Sequence, residues 1–223
     1  MGKRSLRRCL KRKQRINNSI EAISKGVCLF YLRMNIRLLM WEAGIGMRKV
    51  EVCSYNELWP HLFKEEANHL QQIYRDELVD IYHIGSSSVP GLSAKPIIDI
   101  MPVVRDITKV DKYNEAMQEI GYVAKGENGI AGRRYFQKGG DQRTHHIHIY
   151  QQGSHEIIRH LAFRDYLKVH PEVSRQYGAL KEGLASQFPY DIDSYVNGKD
   201  QFVKELEVRA LEWYETSNQL KKG

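Results

Sequence analysis

A chain of 223 residues with 42% hydrophobic content is long enough for one domain with a substantial core, or one domain plus an appendage. Its net charge of +7 is unevenly spread: residues 1–46 carry eleven Lys and Arg against Glu21 and Glu42, whereas residues 47–223 balance to −2, so nucleic-acid binding by the globular body gains no support from charge. Three cysteines, Cys9, Cys28 and Cys53, without CxxC spacing exclude a disulfide framework and a sulfur-based zinc site and fit a cytoplasmic protein, and the apolar run at 27–32, cut by Arg33, Asn35 and Arg37, is too short for a membrane span or a signal peptide.

Taken in order, the basic cluster RRCLKRKQR reads either as an arm for nucleic acid or a membrane surface or as a solvated extension. The second is expected, with residues 1–46 poorly ordered and 47–223 forming the domain. Ser54 and Glu57 have capping-box spacing and predict a helix over 55–78, with Leu58, Leu62, Phe63, Leu70, Ile73 and Tyr74 on its packed side. Strands follow over 80–84 and 96–104. Thr108 caps a helix predicted to end at Gly121. Residues 122–124, 133–137 and 144–150 read as three further strands between Gly-rich turns such as GENG and KGGD. Residues 154–169 are helical, Pro171 starts a helix to about Gln187, and a last helix covers roughly 194–216. The expected fold is α+β: a mixed sheet of about five strands, helices on one face and a C-terminal helical portion.

The densest chemistry lies in HIGSSSVPGLSAKPIIDIMPVV, residues 83–104. Gly85, Ser86 and Ser87 form a small-residue loop between two apolar strands, a layout whose backbone can approach an anion such as phosphate. Strand alternation puts Ile97, Asp99 and Met101 on one face and Ile98 and Ile100 on the other. An ionised Asp among apolar neighbours is costly without a cation or hydrogen bond, so Asp99 is a candidate metal ligand. In THHIHIY, alternation aligns Thr144, His146 and His148. Two such histidines with Asp99 on a neighbouring strand would make a two-His, one-carboxylate set, shifting preference from Mg²⁺ toward Zn²⁺, Mn²⁺, Fe²⁺ or Ni²⁺. Equally, His146 and His148 can simply hydrogen-bond Asp99 in a buried polar network. Lys95, just before the Asp99 strand, and Arg134 are the candidate basic partners of a phosphate. Tyr135, Phe136 and Tyr150 read as core.

A Gly-Ser pair closing a strand, followed about a dozen residues later by an Asp in a second apolar strand, resembles the opening of the nucleotidyltransferase fold of the DNA polymerase β type. The strings GSSSVPGLSAKPIIDI, RTHHIHIY and LAFRDYLKVHPE together resemble the GrpB family, from about Met47 to Phe202. Met47 lies where members of that family begin, which suggests that residues 1–46 come from an upstream start. The resemblance implies phosphate binding by Gly85, Ser86 and Ser87, a catalytic and metal-binding role for Asp99, and a divalent ion, Mg, Mn or Zn. Lys199, preceded by Asp191 and Tyr195, falls in a shared motif and joins the phosphate-binding candidates. The sequence departs from the catalytic pattern at Met101, where active members of the superfamily place a second acid, and a thioether cannot replace a carboxylate on Mg²⁺.

The expected function is therefore that of a nucleotidyltransferase-like protein binding a nucleotide or phosphorylated small molecule, with transfer of a nucleotidyl group to a small acceptor. A non-catalytic nucleotide- or metal-binding module and a metal-dependent phosphohydrolase are the alternatives. No membrane is expected as a partner, nor nucleic acid for the core domain.

Overall fold

The computed structural model describes residues 49–220; the expectations about residues 1–46 lie outside them. Five strands form one mixed sheet: β1 (Leu78–Ile84), β2 (Ile98–Val104), β3 (Tyr122–Ala124), β4 (Arg134–Lys138) and β5 (His145–Gln151), in spatial order β1-β2-β5-β4-β3. Only β2 and β5 run parallel, side by side at the centre, with Asp99 opposite His146; the remaining pairs are antiparallel. Among the described residues the α-helices are α1 (Trp59–Tyr74), α2 (Asn114–Glu119), α3 (His155–Val169), α4 (Pro171–Gln187) and α5 (Ile192–Leu220). The fold is thus α+β, as expected.

Alternation along the central strands divides the core. Ile98, Ile100, Val104, Ile147 and Ile149 face α1 and the segment leading into α2, and bury Trp59, Leu70, Tyr74, Val110 and Met117 against them. Each such side chain withdrawn from water contributes roughly 1.5–3 kcal/mol. On the opposite face Met101 packs with Ile84 and Tyr150, and Ile157 and Leu161 of α3 lie against this group. Further along, Val89 and Leu92, from the loop after β1, pack on Leu167, Val173, Tyr177 and Leu206. The C-terminal helices thereby close over the end of the sheet where Asp99 stands.

Two helix starts differ from expectation. Ser54 is no cap: α1 begins only at Trp59, with Pro60 in its first turn, and the Asn56 carboxamide oxygen accepts the Leu58 N–H at 2.9 Å. The reason lies just upstream, where Cys53 and Ala94 exchange two backbone hydrogen bonds of 2.9 Å and hold the chain extended. The segment expected as one helix from Thr108 opens as a 3₁₀ turn, Ile107–Tyr113, and its cap is Asp106, whose Oδ1 accepts from the Thr108 amide at 2.9 Å and hydroxyl at 2.6 Å. It does stop at Gly121, at φ 89°.

Candidate functional site

Asp99 is placed by β2 beside two imidazoles. His146 Nδ1 lies 3.1 Å and His148 Nε2 3.6 Å from its Oδ1, and one donor atom from each of the three side chains falls within 4.8 Å of the others. The loop makes room for the carboxylate. Gly85 has φ 69°, and a Cβ there would lie 2.6 Å from Asp99 Oδ2, so glycine is required both by the backbone angle and by the approach. Burial pushes the Asp99 carboxyl up, but the hydrogen bonds of His146 and His148 outweigh it and hold the group far below the usual carboxylate range. Asp99 is ionised at neutral pH.

By donor type and spacing these residues fit a divalent ion. Ligands about 2.0–2.2 Å from a common centre stand about 3–3.6 Å apart, and one oxygen with two imidazole nitrogens suits zinc or manganese better than magnesium. The backing is weaker. His146 Nε2 is buried without a hydrogen-bond partner, and His148 Nδ1 faces Arg133 Nη1 at 3.4 Å, a group that only donates. Neither ring has an acceptor for its outward N–H, the support that normally stiffens a histidine ligand. Arg133 itself is fixed by the Glu127 and Asn128 carbonyls at 3.1 and 2.7 Å.

Asp99 shares a cavity with a group of lysines. The cavity, of about 300 Å³, is lined by Gly85, Ser86, Lys95, Asp99, His146, Lys181 and Lys199, and also by His160, Phe163 and Glu207. Ser86 turns its hydroxyl to the Lys181 ammonium at 2.8 Å. Ser87 and Ser88 are differently engaged, Ser87 with His83 Nε2 at 3.1 Å and Ser88 donating to the Gly85 carbonyl at 2.6 Å. Lys95 Nζ sits 4.9 Å from the centre of the Tyr195 ring. Burial lowers the pKa of Lys199, and lowers that of Lys181 to about 7 with Lys199 contributing next.

The structure thus brings together Gly85, Ser86, Ser87, Lys95, Asp99, His146 and Lys199 around one cavity, with His148 directly behind Asp99. Arg134 is not among the residues lining this cavity. In the register of β4 and β5 it pairs with Ile149, which points away from the His146 and His148 face, and its guanidinium forms bonds of 2.8 to 3.1 Å with the Asp111 carboxylate. Met101 is fully buried in its apolar cluster and leaves the cavity open. Lys181, Tyr177, Arg159, His160 and Glu207 were not among the candidates. One of them had a readable signal: the buried positions of α4 are Val173, Ser174, Tyr177, Gly178, Lys181, Leu184 and Ala185, so Lys181 interrupts an otherwise small or apolar stripe at helical spacing.

Comparison with known proteins bears on the same region. The family model described as GrpB protein matches residues 49–209. The UPF0157 protein YqkA of Bacillus subtilis is 50% identical over 171 residues, covering 77% of this chain and 50% of that protein, so the chain spans only half that relative's length. The glutamate-rich protein GrpB of Alkalihalophilus pseudofirmus is 36% identical over 168 residues, 73% of this chain and 97% of that one. Among solved structures, the conserved protein GrpB from Enterococcus faecalis superposes with a TM-score of 0.72 at 47% identity, covering 74% of this chain and 99% of that one. Family model, sequence identity and superposition agree, and the chain belongs to the GrpB family.

Proposed function

We propose that the cavity binds a nucleotide or other phosphorylated small molecule and that, with a divalent ion at Asp99, the protein transfers a nucleotidyl group to a small acceptor. The observation that carries this reading is the gathering of two oppositely charged sets of groups at one cavity of about 300 Å³: an ionised carboxylate with its imidazoles on the sheet, and the Lys95, Lys181 and Lys199 side chains on the surrounding loop and helices. Phosphate oxygens satisfy the second set and a metal ion the first. Ser86 presents its hydroxyl, and the open backbone at Gly85 lets a ligand approach. The lysines neutralise charge on the phosphoryl group, Asp99 and His146 hold their positions through β2 and β5 pairing, and the helices limit water. An ion bound by Asp99, His146 and His148 would supply Lewis-acid stabilisation of phosphoryl oxygens.

One observation favours a second reading. Met101 is fully buried where the catalytic pattern places a second acid, so a binding module that retains the phosphate site without turnover fits the same geometry. The test is a panel of nucleoside triphosphates with Mg²⁺, Mn²⁺ or Zn²⁺ and candidate acceptors, read by pyrophosphate release. Transfer requires pyrophosphate that Asp99→Asn lowers by at least about a hundredfold, the scale for losing one charge-stabilising group. Tight binding without release supports the module, and inorganic phosphate from a phosphomonoester instead points to hydrolysis.

A further inference from the structure

Lys181 stands apart among the cations of the cavity. It is 3% exposed, projects from the middle of α4, and makes no ion pair with a carboxylate among the described residues; its bonded partner is the Ser86 hydroxyl, and the Tyr177 ring lies 4.3 Å away. Burying an ammonium is costly unless charge of the opposite sign meets it. Two neighbouring cations aggravate that cost, Lys199 from α5 and Lys95 from the segment before β2, and two carboxylates, Glu182 on its own helix and Asp99 on β2, oppose them, with Lys199 the strongest of the four. The neighbourhood is arranged for an anion held between the Ser86 loop and the three lysines.

We propose, building on the reading of this cavity as a phosphate site, that Lys181 is the anchor of a terminal phosphate group and takes up its proton when the phosphate arrives. Burial and the neighbouring Lys199 ammonium lower the pKa of the amine to about 7, so without an anion beside it the amine gives up its proton around neutral pH. At pH 8 the neutral form predominates. A dianion at hydrogen-bond distance favours the charged form, so the amine ionises as the anion binds. The bond formed is N–H to phosphate oxygen, and the proton comes from solvent. The arrangement lets the pocket hold a desolvated cation only while the ligand is there to stabilise it. It also makes affinity fall as pH rises from 7 to 9, whereas an arginine would remain charged throughout.

The experiment is calorimetry of inorganic sulfate and inorganic phosphate binding to the full chain at pH 8, in buffers of widely different ionisation enthalpy. The slope of observed heat against buffer enthalpy counts protons exchanged. Sulfate does not titrate there, so its slope reports on the protein, with uptake approaching one proton expected. Lys181→Arg should bind sulfate with uptake near zero, and Lys181→Met should weaken it at least tenfold. Should either variant fail to fold, the Lys181 Cε resonance of the labelled wild type titrates near pH 7 alone and at least one unit higher with saturating sulfate. Anion binding with no proton uptake and an unmoved resonance overturns this inference while leaving the phosphate reading intact. Absence of any sulfate or phosphate binding overturns both. Proton-linked binding without pyrophosphate release in the turnover assay sustains the inference and sinks only the transferase reading.

Discussion

A half-buried imidazole packed against an aromatic ring is held neutral when the cost of desolvation exceeds the pull of a nearby carboxylate, and His83 shows what that does to stability. Its ring stacks on Phe63 at 4.9 Å, its Nε2 meets the Ser87 hydroxyl, and burial first of all lowers its pKa to about 4. The unfolded value is near 6.5, so above that pH both states carry a neutral ring and the full stability is present. As pH falls through 6.5 toward 4 the unfolded chain takes up a proton that the fold refuses, and stability is lost. For His83 alone the loss between pH 7 and pH 5 is about 2 kcal/mol. Denaturant unfolding at pH 7, 6 and 5 measures it, and His83→Phe should flatten the slope; an unchanged slope contradicts the assignment. His160, lowered by burial and then by Arg159, adds a loss of the same sign. The same single-residue logic explains Gly85: Asp99 Oδ2 occupies the space where any side chain would begin.

Helix ends depend on which backbone amides the surrounding chain leaves unpaired, and that separates two similar-looking capping signals. Asp106 accepts from both the amide and the hydroxyl of Thr108, so Asp106→Ala should cost about 1 kcal/mol. Ser54 has the residue pattern of a cap, yet the adjoining Cys53 is tied to Ala94 in extended pairing, and Ser54→Ala should change stability by less than about 0.5 kcal/mol. Equilibrium unfolding of the two variants side by side distinguishes these outcomes. In α4 the element itself carries the chemistry. Tyr177 and Lys181 occupy the stripe that buries Leu184 and Ala185, and the packing that stabilises the helix also delivers an ammonium to Ser86.

Across the whole molecule, the sheet contributes the carboxylate and imidazoles, the segment before β2 contributes Lys95, and α4 and α5 contribute Lys181 and Lys199, so the candidate site is assembled from distant parts of the chain. Metal binding tests the sheet half. Protein purified without a His-tag and dialysed against Zn²⁺ or Mn²⁺ should bind one ion, and His148→Ala should lower its affinity by at least about tenfold. Metal content equal to wild type removes His148 from the site. The lack of acceptors behind His146 and His148 further means that a chelator should strip the ion readily. No helix among the described residues is long and apolar enough to cross a membrane.

Residue order alone determined the strands, the glycine loop and the alternation that sets Asp99, His146 and His148 on one face, because side-chain direction along a strand has period two and turns are local. It reached Lys95 and Lys199 through a loop and a shared motif, and both line the cavity. It did not reveal the direction of Arg134, which follows from strand register: pairing with Ile149 rather than His148 sends it to Asp111. Lys181 was visible only as a flaw in an apolar stripe, since its meaning depends on Ser86, 95 residues earlier in the chain. Local rules fix which way each side chain leaves its own element; only tertiary packing, which brings distant elements together to bury their apolar faces, decides which of those side chains meet.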